Sequence, residues 1–243
     1  MNSLAQLPRT LGRRLARPLA DPVELAIGWR ASQRWHVPLP PGEGRPVLLA
    51  GGFGAPNLAL RPLTDWLASA GWVPYVAHVN HGLDCAERSA QALQRQIEQL
   101  SRDYDARVSV LAHSRGGQFA RVAVRRQCDD VRRLVTLGAP FAYVPASRLI
   151  QAQAAVVMTL GSAGLPGLAS LRCLTGRCCA SFRRDLREPW PETVAFTSIY
   201  SRADQTVGWE QCRDPAAKPV EVSASHVGML TSKPSWEAIA GAL

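Results

Sequence analysis

Lysine is almost missing from this chain of 243 residues: Lys218 and Lys233 are the only two among 28 basic side chains, and the rest are arginine. The arginines are spread along helical stretches and are not gathered into a block interleaved with aromatics, which argues against a nucleic-acid-binding face. A GC-rich coding sequence produces the same skew. What the formal net charge of +9 leaves is a general attraction to anionic surfaces, membranes included. The first 20 residues lack the apolar run of roughly 7–15 residues that a secretion signal needs, because Pro8, Arg9, Arg13, Arg14 and Arg17 interrupt it. A cytoplasmic location is the expectation. No short period and no internal repeat is present, which excludes collagen and coiled coil, and 47% hydrophobic against 19% charged residues excludes a disordered chain.

Two further absences concern cofactors. The six cysteines (Cys85, Cys128, Cys173, Cys178, Cys179 and Cys212) do not follow a zinc-binding spacing, so free thiols and no metal are expected. A bridge from the Cys173–Cys179 group to Cys212 stays open. The glycine-rich Gly51-Gly52-Phe53-Gly54 loop lacks the G-x-G-x-x-G spacing of a dinucleotide cradle and runs into Pro56, so no nucleotide cofactor is expected.

The longest uncharged stretch, Leu149 to Leu171, has the 23 residues of a membrane span, but Gln151, Gln153, Gly161, Ser162, Gly164, Pro166 and Gly167 break it. It reads as an apolar helix followed by a loop. Near the start, Leu4, Leu7, Leu11, Leu15 and Leu19 recur at helical spacing beside arginines. The preferred reading is a helix packed on the domain; the other is a basic amphipathic helix lying on a membrane surface.

What is present is an alternation. The apolar runs PVLLA, WVPYVAHV, VSVLA and LVTLGAP read as buried strands, and the segments Leu58–Ala70, Glu87–Leu100 and Arg115–Gln127 between them carry helical periodicity. Strand and helix in turn predict an α/β fold with a mostly parallel sheet and helices on both faces. The rhythm breaks at 141–191 and resumes with VAFTSIYS and PVEVSAS. The break reads as an insertion over one edge of the sheet, residues 46–243 as one domain, and residues 1–45 as a helical extension with a linker, VPLPPGEG.

The chemistry centres on Ala112-His113-Ser114-Arg115-Gly116, between the VSVLA strand and a helix. A serine nucleophile needs such a sharp turn to lift its hydroxyl free, with helix amides aimed at a developing oxyanion. It also needs a base held by an acid. Asp204 follows the VAFTSIYS strand and His226 the VEV strand, in the order serine, acid, histidine. His36, His78, His81 and His113 break that order or point away, and Asp214 is the competing acid. The amides of Arg115 and Phe53 are the candidate oxyanion donors.

The stretches VLLAGGFGAP, LAHSRGGQFAR, LVTLGAPF, IYSRADQTV and SHVGML resemble serine hydrolases of the α/β-hydrolase fold, bacterial lipases and esterases above all. The chain departs from the family at Gly51, where a histidine is common, and at Ala112, where glycine is usual. The resemblance implies Ser114 as nucleophile, His226 as base, Asp204 as its orienting acid, Phe53 and Arg115 as oxyanion donors, and no cofactor or metal. It further implies that the insertion at 141–191 is a lid shaping an acyl pocket, and that the substrate is a small ester or lipid. Acyl transfer and thioester cleavage use the same residues. A non-catalytic protein docking on membranes or polyanions is the reading from another class.

Overall fold

The computed structural model describes residues 17–141 and 147–243. The leucines at 4, 7, 11 and 15, and with them most of the expected amphipathic helix, lie outside the described residues. Among the described residues six parallel strands form one sheet: β1 (Pro46–Ala50), β2 (Val73–Val76), β3 (Val108–His113), β4 (Val131–Leu137), β5 (Ala195–Tyr200) and β6 (Lys218–Glu221), in the order β2-β1-β3-β4-β5-β6. Within the sheet, proline is confined to the two edge strands, β2 with Pro74 and β6 with Pro219, and to the first residue of β1, Pro46. That is where a residue lacking an N–H does least harm to a ladder.

Side chains alternate across a strand, so each central strand feeds two cores. Leu48, Val110 and Leu134 join Leu93, Ile97 and Phe119 on one face, while Leu49, Leu111 and Val135 join Leu63, Leu67, Trp236 and Ile239 on the other. The first face is covered by α3 (Ala86–Tyr104) and α4 (Arg115–Arg126), the second by α2 (Arg61–Ser69) and α8 (Lys233–Ala240). The α3 stripe of Ala86, Ala90, Leu93, Ile97 and Leu100 is the amphipathic pattern read from the sequence.

The extension before β1 packs on the second face. Helix α1 (Arg17–Ser32) crosses the 225–231 loop so closely that a Cβ on Gly28 would stand 2.1 Å from Thr231 Oγ1. The VPLPPGEG stretch is held by indole donors, Trp66 to the carbonyl of Val37 and Trp72 to that of Pro40, each at 2.9 Å.

Between β4 and β5 the insertion contains α5 (Arg148–Ser162), α6 (Arg172–Thr175) and α7 (Ala180–Asp185). No residue of α5 is buried. No helix among the described residues is long and apolar enough to cross a membrane. All six cysteines are free, so the bridge to Cys212 is not formed; Cys212 packs instead beside Tyr200 and Val207.

Candidate active site

The register aligns Ala50 with Ala112, His113 with Leu137, and Leu137 with Ile199, so the carboxyl ends of the central strands share one edge of the sheet. Ser114 leaves β3 at that edge with φ 55° and ψ −130°, a conformation that L residues rarely adopt. Its amide donates to the Leu137 carbonyl at 2.8 Å, and its own carbonyl accepts from Gly117 at 2.9 Å. Small neighbours make the turn fit. A Cβ on Gly116 would lie 2.5 Å from the Gly51 oxygen, and one on Gly52 would lie 2.8 Å from Ser114 Cβ.

Two residues from later strands meet the serine. His226 Nε2 is 2.9 Å from Ser114 Oγ, and its Nδ1 is 2.6 Å from Asp204 Oδ2. The other oxygen of Asp204 accepts the amides of Thr206 at 2.7 Å and Val207 at 2.9 Å. Burial pushes the Asp204 carboxyl up, but the bond from His226 with its charge and the two amides outweigh it and hold the group below its ordinary 3.8. Asp204 therefore stays ionised and fixes His226 with Nε2 facing the hydroxyl.

The Gly52-Phe53 segment abuts Ser114, since the Gly52 Cβ position is 3.2 Å from Ser114 Oγ. Arg115 opens α4, and its side chain reaches back: Nη2 donates to the Asp84 carbonyl at 3.2 Å, and the guanidinium stands 5.7 Å from the Phe53 ring. The two residues expected to supply oxyanion amides thus flank the serine and touch each other.

Solved structures share this architecture. A mature lipase of Bacillus licheniformis aligns with TM-score 0.59 at 14% identity, over 84% of this chain and 94% of that one. The N-formylmaleamic acid deformylase of Pseudomonas putida aligns with TM-score 0.56 at 16% identity, over 84% and 94%. Aspergillus fumigatus lipase B aligns with TM-score 0.58 at 18% identity, over 80% of this chain and 52% of that one. The chain has the α/β-hydrolase fold. No protein-family model matches the sequence, and no curated protein matches it either.

Within this α/β-hydrolase fold the competitors fall away for separate reasons. Asp214 is buried in an ion pair with Arg121, Oδ2 to Nε at 2.5 Å, which occupies it structurally. Glu221 ends β6 and pairs with Arg202 at 3.1 Å. His36, His78 and His81 are exposed, and His81 Nδ1 faces the carbonyl of Ala55 at 3.1 Å. Cys212 lies on the acid side, but burial pushes its thiol up to about 12, which makes it a poor nucleophile.

Three contributors escaped the sequence reading. His113, set aside only as a base, packs its ring 4.7 Å from that of His226 and donates from Nε2 to the His226 carbonyl at 2.9 Å. It positions the loop that carries His226. Burial, with the charge of His226 beside it, drops the His113 ring to about 3, so it is neutral at ordinary pH; its Nδ1 is buried without a partner. Gly138, at φ 54°, leaves room for the Asp204–His226 pair, since its Cβ would sit 3.2 Å from both bonded atoms. Glu24 of α1 accepts from the hydroxyl of Ser225, next to His226. The glycine of LVTLGAP was a visible signal for Gly138; the other two contacts join distant segments and have no local signature.

Proposed function

We propose that the chain is a serine hydrolase that cleaves carboxylic esters through an acyl-enzyme. The observation that carries this reading is the continuous contact from Ser114 through His226 to Asp204 at 2.9 and 2.6 Å. His226 Nε2 takes the hydroxyl proton as Ser114 attacks the ester carbonyl. The amides of Phe53 and Arg115 receive the oxyanion. His226 then protonates the departing alcohol, and water, activated by the same ring, releases the acid. Asp204 keeps the imidazole in the required tautomer throughout.

The insertion supports a lid over this site. Ser147, just before α5, donates its amide to the Thr206 carbonyl at 3.3 Å beside the acid loop, and beyond α5 Ala169 donates to Leu83 at 2.9 Å beside the oxyanion loop. Helix α5 is thereby tethered at one end near the acid and at the other near the oxyanion donors. Val156, 60% exposed, and Leu160, 42% exposed, give it apolar surface suited to acyl chains.

The test compares wild type with Ser114→Ala on p-nitrophenyl esters of short and long acyl chains, alongside labelling by a fluorophosphonate. Turnover should fall by about 10⁶ in the variant and labelling should vanish, with a preference for long chains marking the lid as an acyl surface. Equal turnover and labelling in both proteins would refute the assignment.

A further inference from the structure

Four sulfur atoms converge on one point. The Sγ atoms of Cys85, Cys173, Cys178 and Cys179 all lie within 4.8 Å of one another, and three of the four residues are buried. Cys85 precedes α3, whereas the other three come from the insertion, with Cys85 and Cys179 separated by 94 positions in the chain. A disulfide joins sulfurs in pairs. Here every pair is close, which is the arrangement of four donors sharing one centre.

We propose that Cys85, Cys173, Cys178 and Cys179 bind one Zn²⁺ ion as a closed four-thiolate structural site. Zinc bound by four thiolates is tetrahedral with Zn–S of about 2.3 Å, which places the sulfurs about 3.8 Å apart. The Cys178–Cys179 separation is already 3.8 Å, and the Cys85–Cys179 separation is 3.3 Å. Loading opens the latter by about half an ångström and draws in the widest pairs. Each thiol gives up its proton to solvent, and Cys178 gives up its 3.3 Å hydrogen bond to the Arg172 carbonyl.

The surroundings suit a centre with a net charge of −2. The amide of Ser170 donates to Cys173 Sγ at 3.4 Å, an outer contact that orients a thiolate ligand. Arg183 donates to the carbonyls of Cys173 at 3.1 Å and Gly176 at 3.0 Å, which places a cation on the same loop. An all-sulfur tetrahedral set selects a soft or borderline metal over magnesium or calcium. With no open position, the ion has a folding role and not a catalytic one.

Its place in the fold says what it fastens. The segment leading to Cys85 backs the oxyanion loop: Gly54 donates to the His81 carbonyl at 2.7 Å, and the Cβ position of Gly82 lies 2.7 Å from the Gly52 oxygen. One ion thus ties the far end of the insertion to the support of Gly52 and Phe53.

The experiment uses untagged full-length protein expressed with zinc and desalted without chelator, with metals measured by mass spectrometry and thiols titrated in denaturant. One zinc per chain and six reduced thiols are expected. Reconstitution with Co²⁺ should give the intense sulfur-to-metal absorption of a tetrahedral thiolate site. Cys173→Ser and Cys179→Ser should lose the stoichiometric zinc, while Cys128→Ser and Cys212→Ser keep it. Because a buried variant can misfold, Cys178→Ser at the exposed ligand, checked by circular dichroism, should hold zinc about tenfold or more weakly in chelator competition. Absence of zinc from the wild type, iron in its place, disulfides among the four cysteines in peptide maps, or undiminished zinc in the folded Cys178 variant would each overturn the assignment.

Discussion

Asp204 divides its two carboxylate oxygens between two tasks: Oδ2 takes Nδ1 of His226 at 2.6 Å, and Oδ1 takes the amides of Thr206 and Val207. The carboxylate is thus fixed by its own loop before it fixes the histidine. Asp204→Asn preserves the shape but presents an amide where the ring needs an acceptor. Turnover should fall on the order of 10⁴, measured as kcat on an activated ester, with the melting temperature shifting little in comparison. A loss below tenfold would show that the acid does not orient the base.

Asp214 should behave in the opposite way. Its ion pair with Arg121 has side chains only 4% and 6% exposed, so Asp214→Ala strands a buried guanidinium. The expected cost is about 3–5 kcal/mol of unfolding free energy, read from urea denaturation. Protein that remains folded at low temperature should retain its ester turnover, which separates this structural acid from Asp204.

His113 makes a pH-dependent contribution whose sign is fixed by its depressed value. The folded ring titrates near 3 and the unfolded one near 6.5, so between these values the unfolded chain binds the extra proton. Stability tied to the neutral ring is complete above pH 6.5 and is lost as pH falls toward 3. At pH 5 the loss is about 2 kcal/mol. Urea midpoints across this range should slope upward with pH in the wild type and less so in His113→Gln.

Gly52 meets Ser114 more closely than any side chain permits, at 2.8 Å from the projected Cβ to Ser114 Cβ. Gly52→Ala should push the oxyanion loop away from the serine and lower kcat by about 10². The far-ultraviolet circular dichroism should be unchanged.

The sheet was legible because strands buried on both faces read as unbroken apolar runs, and because each helix carried its stripe at the right period. Ser114 was legible from the strand-turn-helix context, and Asp204 and His226 from the order in which a parallel sheet delivers its loops to one edge. Choosing Asp204 over Asp214 was harder, since what removes Asp214 is Arg121, 93 positions away. The turn that presents Ser114 points its neighbour His113 away from the reaction, yet the ring and proton of His113 both serve His226. The cysteine group escaped because its fourth member lies in another segment of the chain, where no spacing rule could include it.

The contact between Ser114 and His226 spans 112 positions, from the middle of the sheet to the loop after its last strand. Such a contact has a high loop-closure cost and needs β5 docked beside β4 and β6 beside β5. A partly folded chain, even with β1, β3 and α4 assembled, holds a serine with no base. If the chain is the hydrolase proposed above, recovery of turnover during refolding is a clock for the completion of the far half of the sheet.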